Sequence, residues 1–177
     1  INATNNVLQN ITKSGFSSGT YYWNVTCADL AGNRNTSVTW NFTIMAPDLV
    51  ITSANIQFNE SSPEEGKNIT VYANIYNTGG SPAYNVTVQF WRGDPDSGGT
   101  QINGNKTISA LTNGNNITLN ITYATIINEN NIFVVADPPT ATNGTIVEEN
   151  ESNNKANTSF SVGLYQVYAG NTTGLID

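Results

Sequence analysis

The sequence predicts an all-β protein of antiparallel sandwich type, on three observations. Nearly every segment alternates apolar and polar residues with period two, and none sustains a helical period. Clusters of Gly, Pro, Asn and Asp punctuate the chain every ~10–15 residues, the rhythm of a sandwich. In Asn116-Ile-Thr-Leu-Asn-Ile-Thr122 the even positions are polar and the odd ones are Ile117, Leu119 and Ile121. Alternate side chains face opposite sides of a strand, so Asn and Thr meet water while the aliphatics fill a core.

Residues 1–45 read as the C-terminal part of a sandwich domain whose first strands are missing. Phe16-Ser-Ser-Gly19-Thr-Tyr21, followed by an alternating strand, predicts a corner in which a tyrosine hydroxyl bonds back across the turn, an immunoglobulin-like device. Asp29-Leu-Ala-Gly-Asn33 predicts a turn, with positive φ at Gly32 and Asn33 and the Asp29 carboxylate on the following backbone. The chain then returns over Thr36–Ile44. Such a fragment leaves Trp23, Val25, Trp40 and Phe42 on an open apolar face, to be covered in cis by preceding strands or in trans by strand addition.

Residues 46–48, Ala-Pro-Asp, read as a short hinge, and residues 49–162 as a complete sandwich. Strands are expected at 49–58, 67–77, 83–91, 100–109, 115–125, 131–136 and 156–162. Between them lie Gly-bearing turns at Glu64–Gly66, Asn77–Gly80, Asp94–Gly99 and Asn113–Asn115. Residues 163–177 read as a linker or as the first strand of a further element, free to pair with a neighbour. The fold class is thus tandem immunoglobulin-like β-sandwiches, the first incomplete in this chain.

Composition narrows the function. Charged residues are 11% of the 177, the net charge is −7, and there is no histidine. A chain so poor in Lys and Arg has no cationic track for nucleic acid or an anionic membrane. No apolar run approaches the ~20 residues of a membrane helix, so no membrane insertion is expected in this segment. Lacking histidine, the chain lacks the commonest general base and the commonest metal ligand together. The single cysteine, Cys27, shares strand parity with Trp23 and Val25 and is expected to be an inert core residue. No enzyme is expected.

Fifteen Asn-x-Ser/Thr acceptor motifs begin at Asn2, Asn10, Asn24, Asn35, Asn41, Asn59, Asn68, Asn85, Asn105, Asn116, Asn120, Asn143, Asn150, Asn157 and Asn171. Random placement of these residues would yield roughly six, so the excess needs a cause. One cause is wet strand faces built from Asn and Thr. The other is N-glycosylation of a secreted protein. The presumed loop sites Asn59, Asn105, Asn143 and Asn171 are the best candidates, because a flat strand face hinders a transferase.

The run Val147-Glu-Glu-Asn-Glu-Ser-Asn-Asn154, just before the last expected strand, is not a product of alternation or turn chemistry. With Asp48-Leu-Val50, Glu65-Gly66, Ile75-Tyr-Asn-Thr-Gly79, Asn85-Val-Thr87, Ala110-Leu111 and Ala136-Asp137, it resembles the CARDB family over about residues 49–162. One departure is Asp137-Pro-Pro139 and the insertion running to Asn143. Residues 1–45 are similar to the Asp-x-Ala-Gly-Asn endings of bacterial-type immunoglobulin-like repeats. The resemblance implies a structural or adhesive module of a cell-surface protein of archaeal or bacterial type.

Asp137, Glu148, Glu149 and Glu151 converge at one end of the expected sandwich. Two readings follow: a tight corner capped by Asn150, Asn153 and Asn154 through side-chain-to-backbone bonds, with the Glu residues solvated, or a structural Ca²⁺ site of these carboxylates with Asn carbonyls. The corner is the first reading. Tyr72, Tyr76, Phe90 and Trp91 are read as core or cross-strand packing ahead of a sugar-stacking face.

The leading expectation is a non-enzymatic module of a secreted, N-glycosylated archaeal surface protein: S-layer-like, adhesin-like or part of a filament. Its partners would be other copies or neighbouring surface domains, met through edge strands, and covalent N-glycans. One alternative is a filament subunit assembled by inter-subunit strand complementation. Another is an accessory domain of a secreted hydrolase.

Overall fold

The computed structural model describes residues 10–128 and 131–164. It divides into two compact units, residues 1–45 and 46–177.

In the first unit, β1 (Gly19–Trp23) pairs antiparallel with β4 (Trp40–Ile44), and β2 (Thr26–Ala28) with β3 (Arg34–Thr36). Together they form one long hairpin, interrupted where the Val25 N–H donates to Ser37 Oγ (3.0 Å) and the Ser37 N–H to the Val25 carbonyl (2.8 Å). The tyrosine corner is present: Tyr21 Oη donates to the Ser17 carbonyl at 3.0 Å. Its ring packs with Phe16 and Phe42.

The hairpin turn forms as the sequence predicts, with the Asp29 carboxylate accepting the Asn33 N–H (2.9 Å) and side-chain amide (2.8 Å). These bonds hold the Asp29 carboxyl below its usual range. Gly32 takes positive φ and Asn33 does not. Trp23 and Trp40 meet as a tilted ring pair at 4.8 Å yet remain 47% and 43% exposed.

Cys27 is exposed, against the expectation of a core position. Val25, which shares its parity, is likewise 46% exposed, so parity placed Cys27 on a face that is itself open.

The second unit is a two-sheet sandwich. One sheet has the order β12 (Lys155–Ser159), β11 (Asn131–Ala136), β8 (Ala83–Arg92), β9 (Thr100–Leu111). The other places β10 (Asn116–Ala124) beside β7 (Asn68–Asn77), whose far edge pairs with both β5 (Leu49–Val50) and β6 (Ile56–Phe58). All these pairings are antiparallel.

The expected strand 49–58 is therefore two short pieces. A 3-10 turn at Ser53–Asn55 separates them, stabilised by the Asn55 side-chain Oδ1, which accepts from the Thr52 N–H and hydroxyl. Beyond β12, residues 161–163 run parallel to 61–65, with the Ser161 N–H on the Ser61 carbonyl and the Glu65 N–H on the Gly163 carbonyl.

Alternation sets the core. Ile69, Val71, Ala73 and Ile75 of β7 face Val86, Val88 and Phe90 of β8, with Ile132 and Val134 of β11, all essentially inaccessible. On β10, Ile121 is buried and Leu119 packs against the core, while Ile117, paired with Ile75, is 36% exposed. Burying each such aliphatic side chain contributes about 1.5–3 kcal/mol, so this layer is the main source of stability.

Residues 46–48 are tied into this unit rather than slack. The Ala46 carbonyl accepts the Gly80 N–H (2.9 Å), and the Pro47 carbonyl accepts the Glu149 N–H (2.9 Å).

Candidate functional site

Two polar constructions gather at one end of the sandwich, where the start of the unit meets the approaches to β8 and β12. The first centres on Asn77, the last residue of β7 and 1% exposed. Its side-chain oxygen accepts the N–H groups of Asp48 (3.1 Å) and Gly79 (3.2 Å). Its amide donates to the carbonyls of Ser81 and Leu111, both at 2.9 Å. One buried side chain thus saturates its own hydrogen-bonding capacity while joining three segments. Gly79 is required for a different reason: a Cβ there would stand 2.4 Å from the Pro47 carbonyl carbon. The Asn-x-Gly strand ending is a docking site for the first residues of the unit.

The second construction is the Glu148–Asn154 turn. Glu148 is 6% exposed, and its carboxylate accepts the Leu49 N–H on one oxygen and the Asn154 amide (3.0 Å) on the other. The Glu148 N–H in turn donates to Glu151 (2.9 Å). Burial pushes the Glu148 carboxyl up to about 7, reinforced by the neighbouring charges of Glu151 and Asp137 and opposed by the bonds from Leu49 and Asn154. Glu149 accepts the Gly80 N–H (3.2 Å), and the Asn153 amide donates to Asp48 (2.9 Å).

Asp137, 1% exposed with φ +49°, organises the insertion that follows it. Its two oxygens accept the Thr145 N–H (2.8 Å), the Thr145 hydroxyl (2.7 Å) and the Ile146 N–H (2.7 Å).

The four predicted carboxylates therefore lie at one end, each accepting a backbone N–H, with Glu148 buried where the corner reading expected solvated glutamates. Among the described residues no three Cys, Asp or Glu side chains form a metal-ligating group. Sequence reasoning missed Asn77 and Asn154 as interior polar residues; the only signal was an Asn two residues before a Gly and an Asn doublet.

The thirteen described acceptor asparagines are all exposed: Asn10, Asn24, Asn35, Asn41, Asn59, Asn68, Asn85, Asn105, Asn116, Asn120, Asn143, Asn150 and Asn157. Asn2 and Asn171 lie outside the described residues, as does the stretch from 165 to 177. Asn105 was expected in a loop and sits inside β9. Positive φ at Asn103 and Gly104 mimics a turn signal within that strand. Asn143 does lie in a loop, in the left-handed conformation after the 3-10 turn Thr140–Thr142. The Asn24 and Asn157 amides already donate to Thr39 and Asn131. The Asn59 side-chain Oδ1 accepts the Thr70 N–H.

Of the aromatics read as core, Phe90 is buried, whereas Tyr72 is 39% exposed on the outer face of β7, beside Asn74 and Tyr76. Trp91 lines a groove of about 440 Å³ with Gln89, Asn105, Pro138, Pro139 and Thr140. Its indole N–H donates to Gln89 at 3.1 Å, and Gln89 and Gln101 both donate to Asn105.

The second unit is similar in structure to a CARDB domain from Pyrococcus furiosus, crystallised in complex with di-metal ions. The TM-score is 0.52 at 22% identity, covering 67% of this chain and 90% of that one. A solution structure of the same domain gives 0.51 at 22% identity, covering 66% and 95%. A Geobacter metallireducens protein solved in solution gives 0.49 at 27% identity, covering 65% and 97%. No curated protein sequence matches the chain.

The CARDB family model matches residues 46–158. Those bounds take in both the Asp48–Asn77 junction and the Glu148–Asn154 turn. CARDB domains are non-catalytic immunoglobulin-like modules of cell-surface and extracellular proteins. By that match, and by an all-β sandwich locked at the matched residues, the chain belongs to the CARDB family.

Proposed function

We propose that this chain is a structural or adhesive segment of a secreted, N-glycosylated cell-surface protein of archaeal type, working as a rigid element rather than as a catalyst. The observation that carries the reading is the exposure of every described acceptor asparagine, on a sandwich whose buried polar groups are spent on holding strand ends together. A sandwich with hydrogen-bonded ends resists shear between its first and last strands, which is what a module in series under tension requires. Glycans on its wet faces add bulk and solubility without touching the core.

The test is to produce the chain in an archaeal host with its own glycosylation machinery and analyse intact glycopeptides. Glycan on at least some sites is expected, with the exposed loop site Asn143 favoured over the sites on strand faces. Recovery of every acceptor peptide unmodified from that host would overturn the glycoprotein reading. Hydrolase activity lost on Glu149→Gln or Glu151→Gln would overturn the non-catalytic one.

A second reading, a filament subunit completed by a strand from another copy, draws support from the exposed Trp23–Trp40 pair of the first unit. Covering that pair should raise and blue-shift tryptophan emission as concentration increases. Emission independent of concentration, with a monomeric mass throughout, would refute it.

A further inference from the structure

Three buried side-chain atoms among the described residues have no hydrogen-bond partner: Glu151 Oε2, Asn153 Oδ1 and Asn154 Oδ1. All three are oxygens, and all three belong to one stretch of four residues. Asn154 is only 3% exposed. Native proteins leave few buried polar atoms unsatisfied, so three in one turn require an explanation.

Neither amide escapes by flipping. The Asn154 amide nitrogen donates to the Glu148 carboxylate at 3.0 Å, and the Asn153 nitrogen to the Asp48 carboxylate at 2.9 Å. Exchanging oxygen for nitrogen in either would set a carbonyl against a carboxylate. Glu151 is held by its other oxygen, which accepts the Glu148 N–H at 2.9 Å. The surroundings are electronegative throughout, with Glu148 buried beside the turn and Asp137 near enough to act on it. The lysine ion pairs described in the unit lie elsewhere: Lys155 on Asp94 and Asp96, Lys67 on Glu60. The turn thus holds a surplus of acceptors, and positive charge is what it lacks.

We propose that the Glu151–Asn154 turn is a cation site, with Glu151 Oε2, Asn153 Oδ1 and Asn154 Oδ1 as protein ligands to Ca²⁺. Oxygen-only donors mixing one carboxylate with amide carbonyls suit a hard cation. Calcium accepts such an irregular set, whereas magnesium demands near-octahedral geometry and keeps its waters. This set differs from the four carboxylates suggested by charge alone. Asp137 and Glu148 spend both oxygens on hydrogen bonds and Glu149 is exposed, so of the four only Glu151 has a buried oxygen without a partner. Because Asn153 is bonded to Asp48 and Asn154 to Glu148, a cation there would fix the first and last strands of the unit to each other. The inference rests on the turn's geometry and does not depend on the surface-module reading.

The test uses the full chain, freed of metal by a chelator and titrated calorimetrically with Ca²⁺ and then Mg²⁺, with thermal unfolding followed in parallel. Saturable binding of one Ca²⁺ is expected, with a Tm that rises with Ca²⁺ concentration as linkage requires. Glu151→Gln keeps a carbonyl for the Glu148 N–H, so its Tm in chelator should match the parent while its Ca²⁺ affinity falls about tenfold or more. Glu149→Gln should bind Ca²⁺ as the parent does. No binding at millimolar Ca²⁺, an equal response to Mg²⁺, an unaltered affinity in Glu151→Gln, or a lost affinity in Glu149→Gln would each overturn the assignment.

Discussion

The Glu148 carboxylate accepts the backbone N–H of Leu49, a residue 99 positions earlier in the chain. Leu49 opens the first strand of the sandwich, and Glu148 lies just ahead of the last. β5 contains only two residues, too few to hold by ladder bonds alone, so a side chain from the far end of the sequence completes its hydrogen bonding. Removing that carboxylate should be felt at the start of the fold. In Glu148→Ala, the Leu49 N–H and the Asn154 amide are both left buried and unpartnered, at a cost of about 2–4 kcal/mol. Urea unfolding of the second unit measures it, as a lower midpoint at unchanged slope.

The same carboxyl sets a pH dependence. Its folded pKa of about 7 exceeds the usual 4.5, so the native state binds its proton more tightly than the unfolded state does. The contribution is fully present below about pH 4.5, declines as pH rises toward 7, and is absent above. Measured in chelator, the Tm of the second unit should lose this component between pH 5 and pH 7.5. Glu148→Gln should flatten that part of the profile; an identical slope in the variant would show that other groups carry it.

Asn77 and Gly79 should be intolerant for different reasons. Asn77→Ala abandons four hydrogen bonds in a buried position and should cost about 3 kcal/mol or more. Gly79→Ala drives a methyl into the Pro47 backbone and should cost about 1–3 kcal/mol, with the chain around 46–48 displaced. Thermal unfolding of both, with amide spectra of Asp48 and Leu49, separates the two mechanisms.

Cys27 provides a check on the first unit. Exposed in the structure, it should react at once and stoichiometrically with a thiol reagent in native buffer. Slow labelling that accelerates only in denaturant would show that the face around it is covered.

Lys155 bridges Asp94 (2.8 Å) and Asp96 (2.6 Å) and stands over the Phe133 ring. Lys155→Met should cost no more than about 1 kcal/mol, and less in high salt, because the partners are solvent-exposed.

Much of this was legible in the sequence because side-chain period and sheet period are the same quantity. Asn116–Thr122 announced both its strand and its buried face, and Tyr21 its corner. What periodicity cannot see is where a backbone departs from the pleat. Thr52 and Asn55 split one expected strand in two, and Asn105, named among the loop acceptors, lies inside the strand expected over 100–109 and found as β9. The run Glu148–Asn154 stood out as unusual, but its partners at Asp48, Leu49 and Gly80 are close only after folding. Charge pointed to four carboxylates as ligands; all four accept a backbone N–H, and among them only Glu151 keeps a buried oxygen without a partner.

Native-state hydrogen exchange at the Leu49 amide tests most directly whether this end of the sandwich is locked by the Glu148 side chain. The Leu49 N–H should exchange as slowly as that of Ile75 in the centre of β7, despite belonging to a two-residue strand. In Glu148→Ala its exchange should accelerate well beyond that of Ile75. A Leu49 amide that exchanges at loop rates in the parent chain, or one equally protected in both proteins, would contradict the account.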